Sequence, residues 1–197
     1  MTAPASGGIV LVRHGETEWS RSGQHTSHTD LPLTDEGRRQ ATLVGQRLAP
    51  MRFGLVLTSP LARATETCAL AGFGDRAVVT DDLAEWDYGN YEGRRTVDIR
   101  TEHPCWTLWD DGAPEGETAT EVAARARRVL AVATPAGGDA VLFGHGHILR
   151  VLVACWLGRP AADGRFYALD AGSISVLGHE REQPVIVRWN DTGHLQP

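Results

Sequence analysis

The 197-residue chain has no lysine: all 19 of its basic residues are arginine. That absence excludes a lysine Schiff base, a lysine-activated nucleophile and the lysine-bearing phosphate loop. Any anion must be met by arginine, histidine or backbone amides. Positive charge is also the minority, with 25 acidic residues and a formal net charge of −6. No basic stripe is expected on such a surface, which argues against nucleic acid as a partner. Cysteine is scarce as well. Cys68, Cys105 and Cys155 are an odd number without paired spacing, and read as small buried apolar residues in a reducing compartment. Long apolar runs are missing too. The N-terminal stretch lacks a basic segment, and the first apolar run, from Ile9 to Val12, stops at Arg13. Neither a signal peptide nor a membrane span is predicted, and a cytoplasmic location is the expectation.

What remains is a globular composition. Hydrophobic residues make up 42% and charged residues 22% of the chain, values that exclude a disordered or fibrous protein. The length predicts a single domain over residues 1–197, large enough to fold without disulfides or a structural metal. Strand and helix signals alternate. Ile9–Val12, Leu55–Leu57 and Ala140–Phe143 are short apolar runs of the kind buried on both faces of a parallel sheet. Thr34 caps a helix carrying Ala41, Val44 and Leu48, and Thr118 with Glu121 forms a capping box ahead of Val122, Ala126, Val129 and Ala133. Ser59-Pro60 reads as an N-cap and first helical position, with a helix to about Ala71 and Gly72 as its stop. An apolar helix follows Gly144-His145-Gly146-His147 and ends at Gly158, and Ser173–Leu177 and Val185–Val187 suggest later strands. The pattern predicts an α/β, three-layer sandwich: a mostly parallel central sheet with helices on both faces.

Ligands of such sheets bind beyond the carboxyl ends of the strands. Arg13 and His14, Ser59 and Arg63, and His145 and His147 all follow predicted strands. Arginines and histidines gathered at one edge make a cationic pocket suited to a phosphoryl group, with the helices beginning at Pro60 or His147 offering free amides. Without lysine, the attacking group is a histidine. His14 is the choice, since the charge of Arg13 beside it lowers the imidazole pKa. Glu85, next to Trp86, is the candidate general acid, its pKa expected to be raised by the apolar neighbour. An acidic pH optimum follows if Glu85 and His145 are protonated.

Taken together, Leu11-Val12-Arg13-His14-Gly15-Glu16-Thr17-Glu18-Trp19, Thr58-Ser59-Pro60-Leu61-Ala62-Arg63-Ala64-Thr65-Glu66-Thr67, Glu85 in its Trp-Asp-Tyr-Gly setting and Gly144-His145-Gly146-His147 resemble the histidine phosphatase superfamily, the phosphoglycerate mutase-like proteins. The resemblance covers Ile9 to about Gly158. It implies a phosphoglycerate mutase-like fold and a phosphohistidine formed on His14. It makes Arg13, Arg63 and His145 the holders of the phosphoryl oxygens and Glu85 the proton donor that later activates water. No metal and no cofactor are implied. Within the superfamily the chain is similar to small acid phosphatases and sugar bisphosphatases such as sedoheptulose bisphosphatase. Mutases usually carry asparagine where Ser20 stands, and a longer insertion before the second histidine. The implied reaction is hydrolysis of a small phosphorylated metabolite, a sugar phosphate or bisphosphate. Ser20, Gln24, His25, Thr26, Ser59, Tyr88, Gly146, His147 and Arg150 are the expected substrate contacts.

Alternatives stay open at this point. A cofactor-dependent phosphoglycerate mutase would transfer phosphate between hydroxyls. A metal-dependent hydrolase could use His145-x-His147 and His25-x-x-His28, and a noncatalytic phosphate-binding module would need no nucleophile. His147 could equally be a structural cap, and His25 and His28 are more often solvated loop residues than ligands. Trp106 and Trp109 are expected to cover the core or a pocket wall. The acidic surface is compatible with a homodimer, and no membrane partner is expected.

Overall fold

The computed structural model describes residues 8–134 and 139–196; the N-terminal stretch read above for a targeting signal lies outside them. Successive residues of the first strand point to opposite sides of the sheet, and both sides are apolar. Ile9 and Leu11 join a buried cluster with Leu142, Val122 and Ile148, whereas Val10 and Val12 join another with Val44, Leu48, Val56 and Phe143. A strand buried on both faces requires a helical layer on each side.

The elements in chain order are β1 (Ile9–Arg13), α1 (Glu18–Ser22), α2 (Asp35–Leu48), β2 (Leu55–Thr58), α3 (Ala62–Leu70), β3 (Val78–Val79), α4 (Thr96–Glu102), α5 (Leu108–Asp111), α6 (Ala119–Ala133), β4 (Ala140–Gly144), α7 (Gly146–Trp156), β5 (Ile174–Glu180) and β6 (Gln183–Asp191). The sheet order is β3-β2-β4-β1-β5-β6. From β3 to β1 the neighbours are parallel, while β5 and β6 are antiparallel additions. Helices α2 and α3 supply Val44, Leu48 and Cys68 to one face; α6 and α7 supply Val122, Val129, Ile148 and Leu152 to the other. Each fully buried aliphatic side chain contributes about 1.5–3 kcal/mol.

Three readings from sequence need correction, the first being the burial of all three cysteines: Cys68 is buried, but Cys155 is only partly so and Cys105 is exposed. Ser59 does not cap α3, which begins at Ala62 after Leu61, with no side-chain cap of its own. The Ala62 amide is met instead by Asp30 at 2.8 Å, and the Ser59 hydroxyl accepts from the Leu61 amide at 3.3 Å, ahead of the helix. The strands expected at 173–177 and 185–187 are longer and form a single hairpin. The short elements β3, α1, α4 and α5 carried no periodic signal in the sequence.

Strands β1, β2 and β4 are parallel and end at one edge, where the His14 amide donates to Gly144 O at 3.0 Å and the Ser59 amide to Phe143 O at 3.0 Å. The residues after these strands thereby converge.

Candidate active site

His14 follows β1 and is buried at this edge, its ring centroid 5.1 Å from that of His145. Its Nδ1 lies 2.7 Å from Gly15 O. A carbonyl only accepts, so Nδ1 carries the proton and the Nε2 lone pair is available. No described residue hydrogen-bonds Nε2. The turn depends on glycine, because a Cβ on Gly15 would lie 2.3 Å from Gly37 O. Burial first, then Arg63 and Arg13, lower the His14 pKa to about 3. The direction is the expected one, but burial, not Arg13, is the larger cause.

Glu85 departs from expectation. Its Oε1 accepts from the amides of His147 at 3.1 Å, Ile148 at 2.9 Å and Trp86 at 2.9 Å, and Oε2 from His147 at 3.0 Å. The carboxylate therefore caps the start of α7, whose N-cap residue His145 offers no side-chain cap. Burial pushes this carboxyl upward, but hydrogen bonding and the electrostatic pull of His147 and His145 outweigh it and hold it well below the usual range. The amides and the positive end of α7 are the durable part of this effect. The expected raised pKa is thus reversed: apolar burial does push upward, but the hydrogen bonds at the start of α7 prevail over it. The α7 amides of His147 and Ile148 are likewise not free for an anion.

The two arginines differ. Arg13 lines the cavity and donates to Leu169 O, while its Nε is buried without a hydrogen-bond partner among the described residues. An orphaned guanidinium donor facing a polar cavity is a ready anion contact. Arg63 is fully buried and does not line the cavity. It donates through Nε to His145 Nδ1 at 3.1 Å, and otherwise to the carbonyls of Thr26, Ser27 and Thr29, each at 3.1 Å. With Nδ1 accepting, the neutral His145 ring carries its proton on Nε2 and donates to Ser59 Oγ at 2.7 Å. Burial first, then Arg63 and His14, hold the His145 pKa well below its ordinary value. The protonated His145 expected from sequence is therefore not the resting form.

A cavity of about 310 Å³ opens over these groups, lined by Arg13, His14, Glu85, Gly146, His147 and Arg150 at its base and by Ser20, Gln24, His25, Thr26 and Tyr88 farther out. Of the expected contacts, Ser59, Arg63 and His145 stand behind this lining. Thr17, Gly23, Thr96 and Leu169 line it as well; Gly23 and Thr96 lie in the two loop stretches read as the pocket mouth, 23–30 and 93–117, but none of the four was singled out from the sequence as a contact. Thr17 stands within the quoted motif and was legible as the α1 cap; Leu169 meets Arg13 through its carbonyl, which leaves no side-chain signal.

The Tyr88 hydroxyl and His147 Nδ1 share a hydrogen bond of 2.7 Å. His25 packs against Tyr88 with ring centroids 4.7 Å apart and reaches Thr96 Oγ1 through Nε2 at 3.3 Å. Burial and then His147 lower its pKa to about 4. Arg150 donates to Gly164 O at 3.0 Å and lies 4.6 Å over the Trp109 ring. Trp106 is buried against His25 and Tyr91, and Trp109 packs on His147; both belong to the apolar cluster behind the lining and neither lines the cavity itself. His28 does not line the cavity; it pairs with Asp87 at 3.1 Å. Among the described residues, no group of three or more His, Cys, Asp or Glu side chains is placed to hold a metal ion.

Comparison with known proteins matches residues 9–192 to the model of the histidine phosphatase superfamily, branch 1. An acid phosphatase of Mycobacterium tuberculosis is 40% identical, covering 96% of this chain and 95% of its own length. Sedoheptulose 1,7-bisphosphatase of Saccharomyces cerevisiae is 38% identical, covering 90% of each. A solved structure of a Mycobacterium tuberculosis open reading frame superposes with a TM-score of 0.91 at 39% identity, over 96% of this chain and all of that one.

Proposed function

The chain belongs to the histidine phosphatase superfamily, and from that premise we propose that it hydrolyses a small phosphomonoester through a phosphohistidine on His14. The enzyme is a phosphatase of a family that acts without metal ions. The observation that carries the proposal is the His14 tautomer: Nδ1–H held by Gly15 O at 2.7 Å leaves a neutral Nε2 lone pair, in a ring whose pKa near 3 keeps it unprotonated.

The Nε2 lone pair attacks phosphorus and the bond to the ester oxygen breaks, with the Arg13 guanidinium meeting the phosphoryl oxygens; for His145 to join it, its Nε2–H exchanges Ser59 Oγ for a phosphoryl oxygen. Arg63 acts on this step through His145, whose tautomer it fixes. The leaving alkoxide takes a proton from Glu85. Water then attacks the phosphohistidine while Glu85 accepts its proton, which frees inorganic phosphate and His14. Glu85 is ionised in the empty site, so the proton enters with the substrate monoanion. An acidic optimum then has a different origin from the one read in the sequence: the substrate monoanion, rather than a protonated Glu85 and His145, supplies the proton. The polar, mostly uncharged outer lining and the 310 Å³ cavity favour a compact hydroxyl-bearing leaving group. The similarity to an acid phosphatase and a sugar bisphosphatase supports a sugar phosphate or bisphosphate.

The test is brief exposure to a labelled phosphomonoester followed by mass spectrometry. Acid-labile phosphate is expected on His14, and His14→Ala is expected to lose turnover by on the order of 10⁴-fold or more. Undiminished turnover in that variant would overturn the reading.

A further inference from the structure

Arg125 stands on α6 and does not line the cavity, yet every N–H of its guanidinium is used. Nε and Nη2 form a two-pronged pair with Glu117 at 2.7 and 2.6 Å. Nη1 donates to Asp82 O at 3.0 Å and Ala84 O at 2.8 Å, and Nη2 to Glu85 O at 3.3 Å. Five donors thus meet five acceptors, the full capacity of an arginine fork. The three carbonyls belong to a segment outside the sheet, where no ladder satisfies them. Glu117 closes the other side: its carboxylate accepts from the Asp87 amide at 3.0 Å and its carbonyl from the Trp86 indole at 2.8 Å.

We infer that Arg125, together with Glu117, is a positioning residue for the acid and base chemistry of Glu85. The inference rests on the role given to Glu85 above. Glu85 is gripped twice. Its carboxylate is fixed by the amides of α7 and its own carbonyl by Arg125, so rotation of the segment about either anchor is prevented. The pair is largely buried, with side-chain exposures of 14% and 22%, where such an ion pair is held in place rather than dissolved by water. Lysine could not replace this arginine, because three donors on a flexible stem cannot span a carboxylate and three carbonyls. A displacement of about 1 Å in a proton donor is enough to lower a rate by up to about 10²-fold.

The test exploits leaving groups. An aryl phosphate departs as a stable phenolate and needs little acid assistance, whereas an alkyl phosphate needs a proton. Rates of phosphohistidine formation are measured in single turnover with p-nitrophenyl phosphate and with glycerol 3-phosphate, for wild type, Arg125→Met, Arg125→Lys and Glu85→Gln. Arg125→Met is expected to lower the alkyl-to-aryl rate ratio by about 10–100-fold, Glu85→Gln by about 10²-fold or more, and Arg125→Lys by an intermediate factor. A merely structural role would slow both substrates alike or lower only the thermal midpoint. If Glu85→Gln depresses the ratio and Arg125→Met leaves it unchanged in folded protein, the positioning role is overturned alone. If Glu85→Gln itself leaves the ratio unchanged, the acid role falls and this inference falls with it.

Discussion

Gly146 is the first residue of α7, and a Cβ placed on it would lie 3.6 Å from Arg13 Cζ and 3.6 Å from Glu85 Oε2. These are ordinary contact distances, so an added methyl group would not clash with the fold. It would fill the gap between the proposed anion contact and the proposed acid. Gly146→Ala should therefore separate stability from activity. Removing a glycine from a helix is expected to raise unfolding free energy by about 0.5–1 kcal/mol, while phosphatase kcat/KM falls by about tenfold or more as phosphate is crowded out. Denaturant titration beside steady-state kinetics checks both halves. The same neighbourhood shows how far single residues were legible. His14, Arg13, Gly146 and His147 could be nominated because each ends or follows a strand, and strand ends are visible in sequence. The ionisation of Glu85 could not, because it is set by the amides of His147 and Ile148, more than sixty positions away. Arg63 shows the other limit: its residue type suggested an anion clamp, but the carbonyls it serves belong to Thr26, Ser27 and Thr29, a loop with no periodic signal.

At the scale of elements, the β5–β6 hairpin turns through Arg181 and Glu182, with Glu180 opposite Gln183. Arg181 has a φ of +55°, a region where a residue with a Cβ is strained by roughly 1–2 kcal/mol. Tight hairpins ordinarily place glycine at this first central position, or asparagine and glycine at both. Arg181→Gly is thus expected to stabilise the protein by about 1 kcal/mol with unchanged phosphatase activity, read from the thermal midpoint and from kcat/KM. A loss of stability would show that the turn is not the strained element it is taken to be. This turn also explains why the hairpin was underread. The turn itself carries no glycine or asparagine at 181 and 182, whereas Gly178 and Pro184, which read as breakers, lie inside the strands, so β6 was expected only at 185–187 although it spans Gln183–Asp191. The buried strands β1, β2 and β4 and the helices α2, α6 and α7 were legible, because uninterrupted apolar runs and helical periodicity report burial directly. The two-residue β3, exposed on both positions, has no pattern to detect.

For the molecule as a whole, the site concentrates groups that folding keeps unprotonated. His14 sits near pKa 3 and His25 near 4, each below an ordinary value of 6.5. His145 and His147 are lowered as well, and the Glu85 carboxyl is held well below its usual range. Between pH 6.5 and about 4 the unfolded chain binds protons at the histidines that the folded one refuses. Unfolding therefore takes up protons, and stability rises with pH across this window and is lost as pH falls through it. Depression of the Glu85 pKa adds loss in the same direction at lower pH. For His25 alone, a shift of this size corresponds to about 3 kcal/mol near pH 4. Its ring already packs against Tyr88 and Trp106 at 4.7 and 5.8 Å and makes only the 3.3 Å contact with Thr96, so phenylalanine is a compatible replacement. His25→Phe should therefore match the wild type within about 1 kcal/mol at pH 7.5, where His25 is neutral in both states, yet be about 3 kcal/mol more stable relative to it at pH 4. Urea titrations at the two pH values decide the matter. Equal pH dependence in the two proteins would mean that His25 is hydrated and protonated in the folded state, and that the outer half of the cavity is more open than its packing implies.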